Sequence, residues 1–425
     1  MGWPPPSPRP FGGLQPRTDE SDRENGMNRN RSKAWREAAT MDDRMKQRRY
    51  RIGLVGLFVL ALSGGVTGLG ATEVDDWMQR FEAGVKAREA AHYTEAEPLL
   101  AQVLREAEQA GDEGGRVALA ANSLGLLYHD QGRLAEAESL YTRALGIWEA
   151  QLGPEHEDVA AALNNLAEIA HARGEWAAAE PLYERVLAIE RKTLGAAHPD
   201  VAISLNNLAE LYRKQGRETA AESSYRLALT LMEQAHGPDH AELGPVLNNL
   251  AALYKSRRLY AWAEPLYERA LKVRRLGLGN DHPAVAMGLN NAACLYQDAG
   301  SYAAAQRLFD EALAIAERVS GPQASLTGTI VGNMAYLADE QGLAMQAQLL
   351  YQRALVIQQQ QLGLHHPTVG LLAERYARVL DVLGQPVEAG LFAARAASIR
   401  ARVQSEAVKQ GAGRLLGPTV GEVRR

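Results

Sequence analysis

The sequence predicts an all-α solenoid of about eight antiparallel helix pairs, on three observations. Leu205-Asn206-Asn207-Leu208-Ala209 returns as Leu163 to Ala167 and Leu247 to Ala251, and more loosely as Leu289 to Ala293, each time after 42 residues. Glycine stands at one fixed place in the repeat (Gly132, Gly174, Gly216, Gly300, Gly342, Gly384), with only Arg258 departing. Alanines spaced like Ala137, Ala179 and Ala221 continue to Ala389, and all but the last are followed four residues later by Tyr141, Tyr183, Tyr225, Tyr267, Phe309 or Tyr351. A fixed period in this range marks stacked supersecondary units, none of which can bury its apolar face alone.

Each element follows from the unit that begins near Val201. Leu205, Leu208, Ala209 and Tyr212 recur at helical spacing and form one apolar stripe. Gly216 comes after the last of them, where a left-handed helix end is cheapest for glycine. A second stripe through Ala221, Tyr225, Ala228 and Leu229 makes a second helix, which returns antiparallel to the first. Gly237-Pro238 then ends the unit, because proline cannot continue a helix. Small residues beside a large aromatic let neighbouring helices approach while the ring fills the gap, so these tyrosines and alanines read as packing.

The array is expected over residues 76–405. Residues 76–110 form a worn first repeat, with Tyr93, Ala96 and Leu100 one residue short of the period. Better repeats start near 117, 159, 201, 243, 285 and 327. In the last, from about 369, Glu374 and Arg375 replace the asparagines and Ala393 replaces the aromatic. Terminal repeats deviate in this way because their outer face meets water. Residues 406–425 read as a loose tail.

The small-residue, glycine, alanine and tyrosine pattern resembles tetratricopeptide repeats. The period of 42, the paired asparagines and the Leu-Gly-x-x-His-Pro linkers are similar to the kinesin-light-chain type of that family. The resemblance implies a right-handed winding, first helices lining a groove, and binding of protein or peptide partners. No run of heptads precedes the repeats to pair with a motor chain, so a kinesin role is not carried over.

The chain has 425 residues, 46% hydrophobic and 23% charged, which is ordinary for a water-facing protein. Its net charge of −5 is uneven: residues 1–51 carry +5 and the rest −10. A basic tail ahead of an acidic body argues against nucleic-acid binding by the repeats. Residues 1–44, rich in Pro, Gly, Arg and Asn, are expected to be disordered. Residues 45–71 begin Met45-Lys46-Gln47-Arg48-Arg49-Tyr50-Arg51, pass through the apolar run Leu54 to Leu62, and exit on small residues. That succession describes a secretory signal peptide, or, taken from Ile52 to Ala71, a retained membrane anchor. Either reading makes a bacterial protein that is periplasmic, extracellular or membrane-anchored. Translation is expected to begin at Met45 or Met41.

Beside its buried stripe, each first helix has a second one, which in the unit at 201 is Ile203, Asn207, Glu210 and Lys214. The resemblance places this stripe on the groove. Its second position yields Asn165, Asn207, Asn249, Asn291 and Asn333, and an amide offers donors and an acceptor that can hold a peptide backbone whatever its side chains. With Glu168, Glu210 and Lys214, these are the expected peptide-binding residues. The first asparagine of each pair (Asn122, Asn164, Asn206, Asn248, Asn290) is expected to cap or bridge neighbouring helices. The stripe also collects Asp130, Asp298 and Glu340, which favours neutral or basic ligands.

Five of the ten histidines (His156, His198, His240, His282, His366) share one linker position and read as structural. Ligand atoms of a zinc ion lie about 2 Å from it, far closer than one repeat separates residues, so no metal site is expected. Cys294 is the only cysteine, which excludes an internal disulfide. With no phosphate loop, nucleophile elbow or catalytic carboxylate pair in the sequence, neither enzyme activity nor a cofactor is expected. The reading is a non-catalytic scaffold or adaptor that binds extended peptide segments. The alternatives are a self-assembling solenoid whose terminal repeat pairs with its copy, and a regulatory subunit of a separately encoded enzyme.

Overall fold

A computed structural model describes residues 71–90, 92–111 and 114–409. Sixteen helices and no strand occur among them. They divide into two compact units, with the boundary after Ala235. The first unit holds α1 (Ala71–Glu89), α2 (Tyr93–Gln109), α3 (Gly115–Asp130), α4 (Leu134–Leu152), α5 (Glu157–Ala172), α6 (Trp176–Thr193), α7 (Pro199–Lys214) and most of α8 (Glu218–His236). The second holds α9 (Leu243–Ser256), α10 (Tyr260–Leu278), α11 (Pro283–Asp298), α12 (Tyr302–Val319), α13 (Ser325–Glu340), α14 (Ala344–Leu362), α15 (Pro367–Val382) and α16 (Pro386–Lys409). Odd-numbered helices are the first, even-numbered the second, of eight consecutive pairs.

The period survives in three dimensions. Second helices begin at Leu134, Trp176, Glu218, Tyr260, Tyr302, Ala344 and Pro386, stepping by 42, and α2 at Tyr93 is one residue short. The ends differ from expectation. Helix begins at Ala71 instead of 76, and α16 runs to Lys409, into the expected tail. The disordered-tail, signal-peptide, anchor and start-site readings fall, but for Ala71, on residues 1–70, outside the described residues. Among the described residues no helix is long and apolar enough to cross a membrane.

The turn within each pair has one geometry. At Gly216, φ is 74°, its N–H donates to the Arg213 carbonyl at 3.1 Å, and Arg217 N–H donates to the Tyr212 carbonyl at 2.8 Å. These bonds satisfy carbonyls that the helix end leaves unpaired. Arg258 adopts the same state at φ 58° and makes the same pair of bonds, the one described non-glycine residue with positive φ. The surrounding repeat therefore imposes the turn on a residue that does not favour it.

Between helices, Ala137, Ala179, Ala221, Ala263, Ala305 and Ala347 are fully buried, as are the rings that follow them. Gly125 shows why the facing residue must be small: a Cβ there would lie 2.8 Å from the Tyr141 ring. The last pair departs from this packing. Ala393, Ala397 and Arg400 on α16 are exposed, whereas their counterparts Tyr351, Leu355 and Gln358 on α14 are buried. Arg400 pairs with Glu374 instead.

Candidate functional site

The paired asparagines form hydrogen-bonded rungs between consecutive first helices. In the first unit, Asn165 Nδ2 donates to Asn122 Oδ1 at 2.9 Å, and Asn207 Nδ2 donates to Asn164 Oδ1 at 3.4 Å. In the second, Asn291 donates to Asn248 at 2.8 Å and Asn333 to Asn290 at 2.9 Å. Asn290 also donates to Asn291 at 3.3 Å, so Asn333, Asn290, Asn291 and Asn248 make one relay through three repeats. Each rung joins the second asparagine of one unit to the first of the preceding unit. Bridging, expected of the first asparagine alone, thus uses both members of the pair. Asn165 is buried at 5% exposure, while Asn207, Asn249, Asn291 and Asn333 are half-buried.

A second row of polar contacts crosses the repeats near the C-terminal ends of the first helices. Arg88 donates to Asp130 at 3.0 Å, Lys255 to Asp298 at 3.0 Å and Gln297 to Glu340 at 2.8 Å. Glu168 accepts from Asn164 at 2.9 Å. Glu210 accepts from Arg213 at 2.8 Å and from the Tyr225 hydroxyl at 2.7 Å, with Lys214 Nζ 3.8 Å away. Burial pushes the Glu210 carboxyl up, but these donors and cations outweigh it and hold it below its ordinary value. Acids that made the stripe look anionic in sequence are therefore matched by cations or amides in place. His171, not singled out by the sequence reading, shares this field: burial lowers its pKa, Glu210 and Glu168 oppose that, and Lys214 and Arg213 add to it. Its linear signal was weak, since the equivalent position holds His129, Arg213, Lys255 and Gln297 in other repeats.

The linker histidines cap helices. Nδ1 of His156 accepts from Asp158 N–H, that of His198 from Asp200 N–H, that of His282 from Ala284 N–H and that of His366 from Thr368 N–H, at 3.0–3.2 Å. This is the role a Ser or Asp usually plays, satisfying an unpaired N–H of the first turn. His240 makes the same contact at 3.4 Å, and beside it stand His236 and Glu242, a grouping the sequence reading did not make. Burial pushes the Cys294 thiol up to about 11, which keeps it protonated near neutral pH and unsuited to nucleophilic attack. A cavity of about 290 Å³ lies among α10, α11 and α12, where the Tyr296 hydroxyl donates to Glu264 at 2.6 Å.

A tetratricopeptide-repeat profile matches residues 83–150, 116–192, 158–234, 200–275 and 243–318. No curated protein matches the chain. Among solved structures, the apo form of RapI is 14% identical and aligns over 67% of this chain and 98% of its own, at a TM-score of 0.52. BtubC (BKLC) from P. vanneervenii is 24% identical over 55% of this chain and 91% of its own, at a TM-score of 0.44. A putative kinesin light chain with nearly identical TPR-like repeats from Podosopora anserina is 26% identical over 47% of this chain and 94% of its own, at a TM-score of 0.40. The profile runs through more than half of the residues, in register with the helix pairs described above. The chain belongs to the tetratricopeptide-repeat family.

Proposed function

We propose that this chain is a non-catalytic adaptor that holds an extended segment of a partner protein along the asparagine-bearing face of its first helices. The observation that carries this reading is the half-buried amide ladder. A carboxamide has two donor hydrogens and an acceptor oxygen, and the Asn207 rung occupies one hydrogen at 3.4 Å. Neighbouring helices lie roughly 8–10 Å apart and extended chain advances about 3.3 Å per residue, so successive asparagines meet every third residue of a ligand. Because Glu210 and Asp298 are paired with cations, recognition rests on backbone amides more than on charge, and neutral segments fit best.

Selection of a displayed library of random peptides on the full chain tests this. Peptides enriched by the native protein should bind the Asn291→Ala/Asn333→Ala variant, whose two positions lie in one unit, several-fold more weakly, measured below the thermal midpoint that loss of the two rungs lowers. Each lost hydrogen bond is worth about 0.5–1.5 kcal/mol. Equal enrichment by the variant places the site elsewhere. Export or anchoring through residues 52–71 belongs to the same reading, supported by the basic, apolar, small-residue succession, and N-terminal sequencing of the mature chain decides it.

One observation favours self-association as a second reading. Met345, Leu349 and Val356 form an exposed stripe on α14, and Val387 and Leu391 repeat the first two positions on α16. Earlier repeats have small or polar residues there, such as Thr219 and Ser223. The exposed polar neighbours on α14 include Gln346, Gln352 and Gln360, and Glu388 is the exposed charge beside Val387 and Leu391 on α16, so a two-fold contact with a second copy centred on α14 would bring together mostly uncharged side chains. Sedimentation of Leu349→Lys against the native chain separates the readings: a mass halved by the substitution supports pairing, and an unchanged monomer excludes it.

A further inference from the structure

The connector between α8 and α9 breaks the repeat at three places. His236 stands where Leu152, Leu194, Leu278 and Leu362 stand in four other repeats and Ser320 in a fifth. Ala241 replaces the helix-opening proline seen at Pro199, Pro283 and Pro367, and α9 starts only at Leu243. The His240 contact, Glu242 N–H donating to Nδ1 ahead of the helix, is the longest of the five, 3.4 Å against 3.0–3.2 Å.

These departures converge in space, and all three side chains belong to the second unit. His236 Nε2 lies 3.0 Å from a Glu242 carboxylate oxygen, and the rings of His236 and His240 stack with centroids 4.7 Å apart. One ligand atom from each of His236, His240 and Glu242 lies within 4.8 Å of the other two. His236 Nε2 is closed off from water and, despite that carboxylate, makes no well-formed hydrogen bond. An imidazole nitrogen closed off from water is costly unless it has a partner.

We infer that His236, His240 and Glu242 form a binding site for a divalent transition-metal ion of the zinc class, with the fourth position open to water. Two imidazoles and one carboxylate are a donor set zinc takes, at about 2.0–2.2 Å per bond, whereas magnesium and calcium require oxygen ligands. Tetrahedral ligands at that bond length sit about 3.3 Å apart, so side-chain rotation has only about 1.5 Å to close. On His240 the ligand atom is Nδ1, because a ring whose Nδ1 accepts a hydrogen bond carries its own proton on Nε2. Binding therefore gives up the bond from Glu242 N–H, the longest of the five. Asp239 is no competitor, since it pairs with Lys272 at 2.8 Å.

The test is Zn²⁺ titration of the full chain after chelator treatment, followed by calorimetry and by the thermal midpoint. His236→Leu restores the repeat's commonest residue and so is expected to fold; His240→Asn keeps an acceptor for the Glu242 N–H without the imidazole. Circular dichroism verifies both. The native chain should bind one ion per molecule and melt at higher temperature with it, and each variant should bind at least tenfold more weakly. Absence of saturable binding by the native chain overturns the inference. So does equal binding by His236→Leu, which would mark an adventitious ion only, for example at His365 and His366.

Discussion

Asn333 donates to Asn290 at 2.9 Å, and Asn290, itself only 5% exposed, donates to Asn291 at 3.3 Å. Removing the central amide strips partners from both neighbours. Asn290→Ala should lower stability by about 1–3 kcal/mol, and Asn333→Ala by less, because only one bond is lost at a half-buried site. The double variant should cost less than the sum. Identical urea midpoints for the two single variants would dismiss the relay.

Arg258 holds φ 58° with an exposed side chain and the same backbone bonds as the glycines of its class. Arg258→Gly removes the clash of Cβ with the following carbonyl and loses little packing. The expected gain is about 1 kcal/mol in urea unfolding, and Gly216→Ala should lose a similar amount. A destabilised Arg258→Gly variant would mean that the arginine is held by something other than the turn.

Glu190 makes stability fall with rising pH. Burial raises its carboxyl from 4.5 to about 7, with Asp200 adding to the rise and the Ser204 hydroxyl opposing it. The folded chain then holds this proton more tightly than the unfolded one. Its contribution is full below the unfolded value and is lost as pH rises through about 7. Asp158, raised by burial to about 6, adds a component of the same sign at lower pH. Glu190→Gln should be nearly neutral near pH 4 and stabilising by on the order of 1–3 kcal/mol near pH 8. Parallel stability–pH curves for variant and native chain would contradict this.

The histidine caps separate by substitution. His198→Ala should cost about 1 kcal/mol, while His198→Asn, whose side-chain oxygen accepts the same Asp200 N–H, should cost little. Equal losses would show that the ring is retained for packing instead of capping.

Much of this was legible in the linear pattern because a repeat checks itself. Gly216, Ala221 and Tyr225 recur with their neighbours, so helix, turn and contact were readable together, and even the missing residue before Leu134 shows in the sequence. The amide rungs were half legible. Composition marked Asn206 and Asn207 as special, but which amide meets which depends on the offset between stacked helices, which no single unit encodes. His236 was overlooked because its neighbour His240 belongs to a periodic set with a sufficient structural role. The signal was a leucine missing from its place, visible only when the linkers are aligned with one another.

The bare alanines of α16 decide how this chain can lengthen. Ala393 and Ala397 replace side chains that, in α14, are covered by the following repeat. A copied repeat spliced in ahead of Pro367 would find matching surfaces before and after it. The same copy joined on after Ser405 would meet methyl groups and the Arg400–Glu374 pair, with nothing to fill the space its own residues expect. Among the described residues, a duplicated repeat would therefore fit inside the array better than against α16.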